Sequence, residues 1–247
     1  MIAYIGTPIT PVEACAKVLF GRHALVSFHH PTQIQLVAST AESFIIDNGA
    51  FSSWRSGQPV TDWTNYYAWS EEWLHHPACD WAIIPDIIDG DERANDALIA
   101  QWPHKDRGAP VWHMHEDIKR LKRLCTFHRR VCIGSSAQFS TPGTDNWWRR
   151  IEQALNAICI NGSPPSKLHG LRMLRRDIVE SIPFSSADSA MIALTIGRDN
   201  QWKGTYLPES RVSKAVVLAM RSDGMISPAS WTSRPEQLNL FGQLYED

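Results

Sequence analysis

No stretch of this sequence is apolar for long enough to cross a bilayer. The longest uncharged apolar runs, such as AVVLAM at 215–220, fall far short of the ~20 residues that a spanning helix needs. The opening MIAYIGTPIT lacks a basic segment followed by an apolar core, the usual form of a secretory leader. Together these absences predict a cytoplasmic protein with no membrane partner. Cysteine is sparse: Cys15, Cys79, Cys125, Cys132 and Cys159 form no CxxC pair and no Cys/His cluster at zinc-finger spacing, so free buried thiols are expected. A strong charge of one sign is also missing. With 24 basic and 26 acidic side chains the net charge is −2, so contact with nucleic acid has to come from a local patch. Internal repeats and low-complexity tracts are lacking too.

What is present suits one compact domain at the upper end of single-core size: 247 residues, 43% hydrophobic and 20% charged. Eleven tryptophans are many for this length; packing in the core and at rims is their commoner use, and stacking on bases the other. Strand-like runs recur at IAYIG (2–6), ALVSF (24–28), FIID (44–47), WAIIPD (81–86), PVWHM (110–114), VCIGSS (131–136), KLHGLR (167–172) and IPFSS (182–186). Several are apolar at consecutive positions, the mark of parallel strands covered on both faces. Helical spacing fills the gaps, as in EDIKRLKRLCTFHRR (116–130) and TDNWWRRIEQALNAI (144–158), the second with Thr144 in N-cap position. Strand, loop and helix repeated seven or eight times predict a (β/α)8 barrel of TIM type, with room for irregularity. If IAYIG precedes the barrel, the eighth strand falls after Asp188, in MIALTIG (191–197), a segment equally compatible with helix. The barrel is expected over residues 1–222, followed at 223–247 by a Ser/Pro linker and a short C-terminal tail.

In a parallel barrel the chemistry sits at the C-terminal ends of the strands, so polar residues directly after the apolar runs are the ones to weigh. FIID ends in Asp47 and leads to Gly49; WAIIP leads to Asp86; VCI leads to Gly134, Ser135 and Ser136, whose backbone N–H groups can face a ligand. The run KL leads to His169 and Gly170, and IPF leads to SSADSA around Asp188. Any one of these acids is explained by a helix cap or a turn. Three on one mouth can divide labour between attack on an electrophilic carbon, proton transfer and recognition of a polar ligand edge.

DNGAFSSW from Asp47, PD at 85–86, GSS at 134–136, HGL at 169–171 and SSADS around Asp188 resemble, in order, the landmarks of the tRNA-guanine transglycosylase superfamily. The chain looks closest to the phage and genomic-island branch that inserts 7-deazaguanines into DNA. The resemblance implies a transferase that exchanges guanine for a 7-deazaguanine through a covalent glycosyl-enzyme. By matching position, Asp188 would be the nucleophile and Asp47 the general acid/base. Phe51 would stack on the base, and Asp86 would accept from its amino and ring N–H edge. Gly134 and Ser135 would contact its carbonyl, with His169 and Gly170 as further substrate contacts. Members acting on tRNA carry a late zinc site of closely spaced cysteines and a histidine. Here the last cysteine is Cys159, so no such zinc site is expected; the likeness to the DNA-acting branch implies no other cofactor and DNA in preference to tRNA. Two departures stand out: Gly-Ser-Ser replaces a Gly-Gly, and WHMHE stands where those enzymes have a Gln-Gly-Gly type stretch.

Two other readings stay open. His113 and His115 form HxH on a predicted strand and, with His169 and Asp188, could start the metal site of a barrel hydrolase. A non-catalytic relative that binds nucleic acid or a modified base is the third. Lys119, Arg120, Lys122, Arg123, Arg149, Arg150, Arg172 and Arg175 are candidates for a surface that tracks phosphates, against the blander account of a solvated helix face. QLNLF at 237–241 resembles the peptide by which bacterial proteins dock on the sliding clamp, with Gln237, Leu238, Leu240 and Phe241 as anchors; a tail folded back on the barrel is the alternative.

Overall fold

The computed structural model describes residues 1–196 and 210–233. Among the described residues nine strands form one sheet: β1 Ile2–Thr7, β2 His23–Ser27, β3 Ser43–Asp47, β4 Cys79–Ile83, β5 Gly108–Ala109, β6 Val111–His113, β7 Arg130–Gly134, β8 Lys167–Gly170 and β9 Ser186–Ser189. Their spatial order is β5-β4-β3-β2-β1-β9-β8-β7-β6, and every pairing is parallel. The two edge strands β5 and β6 are separated by Pro110 alone, so the sheet comes back on itself and nearly closes. Proline has no N–H for a ladder bond, which accounts for a break at that position. Its carbonyl still accepts from Cys132 N at 2.8 Å, across to β7.

Helices follow most strands: α1 Val12–Leu19, α2 Ile34–Thr40, α3 Ala50–Arg55, α4 Thr64–Leu74, α5 Glu92–Gln101, α6 Ile118–Phe127, α7 Asp145–Ile158 and α8 Arg176–Val179. After β9 come α9 Met191–Thr195 and α10 Arg211–Met220. The helical reading of the two long charged segments holds: α6 buries Arg120, Leu121, Leu124 and Cys125, α7 buries Trp147, Ile151, Ala154, Leu155 and Ile158 at helical spacing, and Thr144 Oγ1 accepts from Trp147 N at 3.4 Å as the cap of α7. Inside the barrel, Tyr4, Leu25, Ile45, Trp81, Ile83, Ala109, Val111 and Cys132 pack into one cluster. Two further clusters fill the space between the outer strand faces and the helices. Strands buried on both faces explain the consecutive apolar runs.

IAYIG, the first of the strand-like runs, is β1, paired with β2 and β9, so its alternative place before the barrel falls away. MIALTIG starts as helix α9, the other of its two readings. One expectation changes. The last strand is not IPFSS but SADS, four residues later. Its register, Tyr4↔Asp188 with β1 and His169↔Ser186 with β8, gives its backbone a partner on both sides, so ladder bonds outweigh the weak β preference of Ser, Ala and Asp. Ile182 and Phe184 leave the strand for an outer core cluster, and Phe184 fills the space over Gly170, where a Cβ would stand 2.8 Å from its ring.

The Ser/Pro segment, where described, is packed on the barrel. Trp231 is buried and donates from Nε1 to Asn156 Oδ1 on α7 at 2.6 Å, while Ser227 Oγ donates to Ile182 O at 2.8 Å. The proposed clamp anchors Gln237, Leu238, Leu240 and Phe241 lie outside the described residues. Among the described residues no helix is long and apolar enough to cross a membrane.

Candidate functional site

The C-terminal ends of the strands surround a cavity of about 320 Å³, lined by Asp47, Asp86, Asp188, Phe51, Gly134 and Ser135 among others. Six of the eight residues named from the sequence as catalytic or substrate-binding therefore meet in one place. That volume lies at the lower end of the ~300–1,000 Å³ common for small-ligand sites.

Each acid is held differently. Asp47 is the last residue of β3, and its Oδ2 accepts from Gly49 N at 3.1 Å. Gly49 has a φ of 78° and sits so close to His29 that a Cβ would lie 2.8 Å from the His29 backbone nitrogen, so only glycine fits this turn. Burial, with the neighbouring carboxylates of Asp86 and Asp188, pushes Asp47 up to about 6, against the lowering effect of bonds from Ser27 and Gly49. Asp86, in the loop after β4, accepts from Asn48 Nδ2 on Oδ1 at 2.8 Å. His113 Nε2 lies 2.9 Å from Asp86 Oδ2, off the line of a straight hydrogen bond. Asp188 stands within β9, and its Oδ1 accepts from Arg172 N at 2.9 Å and faces His169 Nε2 at 3.3 Å.

Comparison of the chain with protein-family models, curated proteins and solved structures finds no match in any of the three.

His169 and Gly170 do not line the cavity. His169 pairs in register with Cys132, one layer deeper than the level of Gly134 and His113, and it is fully buried. Its place is behind Asp188. Gly170 faces outward, against Phe184 and Met173. Sequence reasoning missed Asn48, which is buried beside Asp47. It donates to both Asp86 and Ile84 O, at 2.8 Å each, and accepts from Ala50 N at 2.7 Å. An Asn after a strand-end Asp reads as a turn former, and only the fold shows that it fixes a second acid. Glu116 was missed as well: its Oε2 accepts from His113 N at 2.9 Å and from Arg120 Nη1 at 2.6 Å, and its Oε1 from Asn95 Nδ2 at 3.2 Å. Asn95 Oδ1 in turn accepts from Ile87 N at 2.8 Å, so this network ties the loop after Asp86 to the end of β6.

The histidine set of a metal hydrolase does not converge. His113 faces Asp86, His115 Nδ1 pairs with Ser136 Oγ at 2.8 Å, and His169 lies a layer below. Among the described residues no group of three or more His, Cys, Asp or Glu side chains is placed to hold a metal ion.

The basic candidates divide. Lys119 and Lys122 on α6 and Arg149 on α7 are exposed. Arg120 is not a surface residue; it is fully buried, with Nε donating to Asp96 Oδ1 at 2.9 Å beside its Glu116 pair. Arg123 pairs with Asp96 at 2.5 Å, and Arg175 with Asp177 at 2.7 Å. Arg150 is half-buried and donates to Met114 O at 2.7 Å. Arg172 is at the rim of the cavity, its Cζ 3.5 Å from the centroid of the Phe51 ring.

Proposed function

We propose that this protein is a DNA-guanine transglycosylase that exchanges guanine for a 7-deazaguanine, working from a (β/α)8 barrel in which β5 and β6 count as one stave broken at Pro110. The observation that carries the reading is the meeting of Asp47, Asp86 and Asp188 in one cavity with Phe51 at its edge. In this reading an Asp188 carboxylate oxygen attacks C1′ of the target deoxyribose. The C1′–N9 bond breaks, and guanine leaves with that electron pair and a proton from the Asp47 carboxyl group. The incoming 7-deazaguanine gives its N9 proton to the Asp47 carboxylate and bonds to C1′ in its turn, which releases Asp188. Two displacements return the sugar to its starting configuration, as in retaining glycoside hydrolases.

The elevated Asp47 supports its part, since a carboxyl group that titrates near 6 can give and take a proton close to neutrality. Asp86, oriented by Asn48, is an acceptor for the donor-rich edge of a guanine. A guanine in a duplex has to leave the stack first, at a few kcal/mol that stacking on Phe51 and edge contacts offset. Arg172 covers one face of the Phe51 ring, so a base uses the other face or displaces the guanidinium.

The test is incubation with guanine-containing DNA and a labelled 7-deazaguanine. Label enters the DNA, and a protein–DNA adduct that survives denaturant accumulates with wild type and is lost in Asp188→Asn. Absence of both exchange and adduct on DNA and on tRNA overturns the reading; binding without exchange would make the protein a non-catalytic relative.

A further inference from the structure

We propose that His169 is a positioning residue, which with the backbone N–H of Arg172 anchors one oxygen of Asp188 and leaves the other as the sole attacking atom. The proposal rests on the reading of Asp188 as nucleophile given above. Both protein contacts of the carboxylate go to Oδ1, from Arg172 N at 2.9 Å and His169 Nε2 at 3.3 Å. Oδ2 has no hydrogen-bond partner among the described residues, and Asp188 lines the cavity.

The chemistry of the imidazole fixes its tautomer. Burial lowers the pKa of His169 and outweighs the opposing pull of Asp188, so the ring is neutral, with one N–H and one lone pair. A carboxylate is an acceptor only, so the N–H belongs on Nε2. Nδ1 is then the acceptor, and it lies 2.9 Å from Ser186 Oγ, whose hydroxyl can donate to it. The pairing is built into the sheet, because His169 and Ser186 are direct register partners of β8 and β9, two residues before Asp188 on its own strand. Packing immobilises the ring: Trp81 meets it edge-on with centroids 5.0 Å apart, and Tyr4 lies at 6.0 Å.

The second anchor depends on a backbone that most residues avoid. Arg172 has a φ of 57°, just past the end of β8, and in that left-handed conformation its N–H is directed at Asp188. A carboxylate free at both oxygens turns about its last bond, whereas one held through Oδ1 presents Oδ2 in a single direction. The 3.3 Å contact is long for a neutral donor, and catalytic bonds of this kind commonly tighten when substrate is bound.

The experiment compares wild type with His169→Phe, which fills the space without a donor, and His169→Gln, whose amide nitrogen can reach the Nε2 position. Circular dichroism and urea unfolding establish that each variant is folded. Single-turnover adduct formation on guanine-containing DNA is measured beside the Kd for the same oligonucleotide. His169→Phe slows adduct formation by about 100-fold while Kd changes by less than about threefold, and His169→Gln regains about tenfold of that loss. A wild-type rate in His169→Phe, or rate and affinity falling together, overturns the proposal. Nitrogen NMR of the wild-type ring gives a readout that needs no reaction: Nε2–H with Nδ1 unprotonated is expected, and the opposite tautomer or an imidazolium overturns it. If wild type forms no adduct, base exchange falls, while the ring resonances still decide whether His169 holds Asp188.

Discussion

Asp47 shows most directly how the folded state alters a single residue. Its carboxyl is pushed up to about 6, first by burial and then by Asp86 and Asp188, above the value near 4 of an unfolded chain. Between about pH 4 and 6 the native state binds more protons than the unfolded state, so stability falls as pH rises through that window, and the penalty is complete above it. Asp47→Asn removes the ionisation. Urea unfolding at pH 7.5 should find the variant more stable than wild type by on the order of 2 kcal/mol, with the gap closing by about pH 4. A gap of constant size across that range would show that ionisation is not its source. The three acids were legible because each follows a run that reads as a strand. His169 was legible as a polar residue but not as a support, because its depth depends on pairing with β7 and β9, which no local pattern encodes.

At the scale of elements, the turn after β6 and the first turn of α6 act as one brace for the site. Glu116, almost wholly buried, is bonded to Arg120, Asn95 and the His113 backbone, and Arg120 reaches on to Asp96 and to Val111 O. The sequence showed Arg120 inside a charge run, which reads as a solvated face; its place four residues after Glu116 was the one local sign of an ion pair. Arg120→Met leaves a buried carboxylate without its cation and is expected to cost about 3–5 kcal/mol, read as a lower urea midpoint. A loss under about 1 kcal/mol would mean that water or a rearrangement takes over the pairing. β9 teaches a related lesson. IPFSS has the composition of a strand and SADS does not, yet the barrel uses SADS because both neighbours offer it backbone partners, and Ile182 and Phe184 are worth more in the outer core.

At the scale of the whole molecule, a net charge of −2 gives no general attraction to DNA, so any affinity of the kind the proposed function requires has to come from local groups. With Arg120 buried and Arg123 and Arg175 engaged with aspartates, the exposed Lys119, Lys122 and Arg149 remain the better candidates on the adjacent helices α6 and α7. Replacing these three by Ala should make the negative slope of log affinity against log salt shallower by about 0.9 for each phosphate that the removed side chains had neutralised. A slope equal to that of wild type would place the DNA path elsewhere, with Arg172 at the cavity rim as the first residue to test.

The sequence by itself determined the parallel α/β class, most of the strands and the acids at their ends, because hydrophobic runs, helical spacing and turn residues are local properties of the chain. Only the tertiary structure decided which polar side chains face the cavity and which stand behind it, where β9 begins, and that a single proline separates the two edges of the sheet. The physical reason is register. A side chain's face and depth in a barrel are set by the strand beside it, and a shift of one residue turns it from the inner wall to the outer.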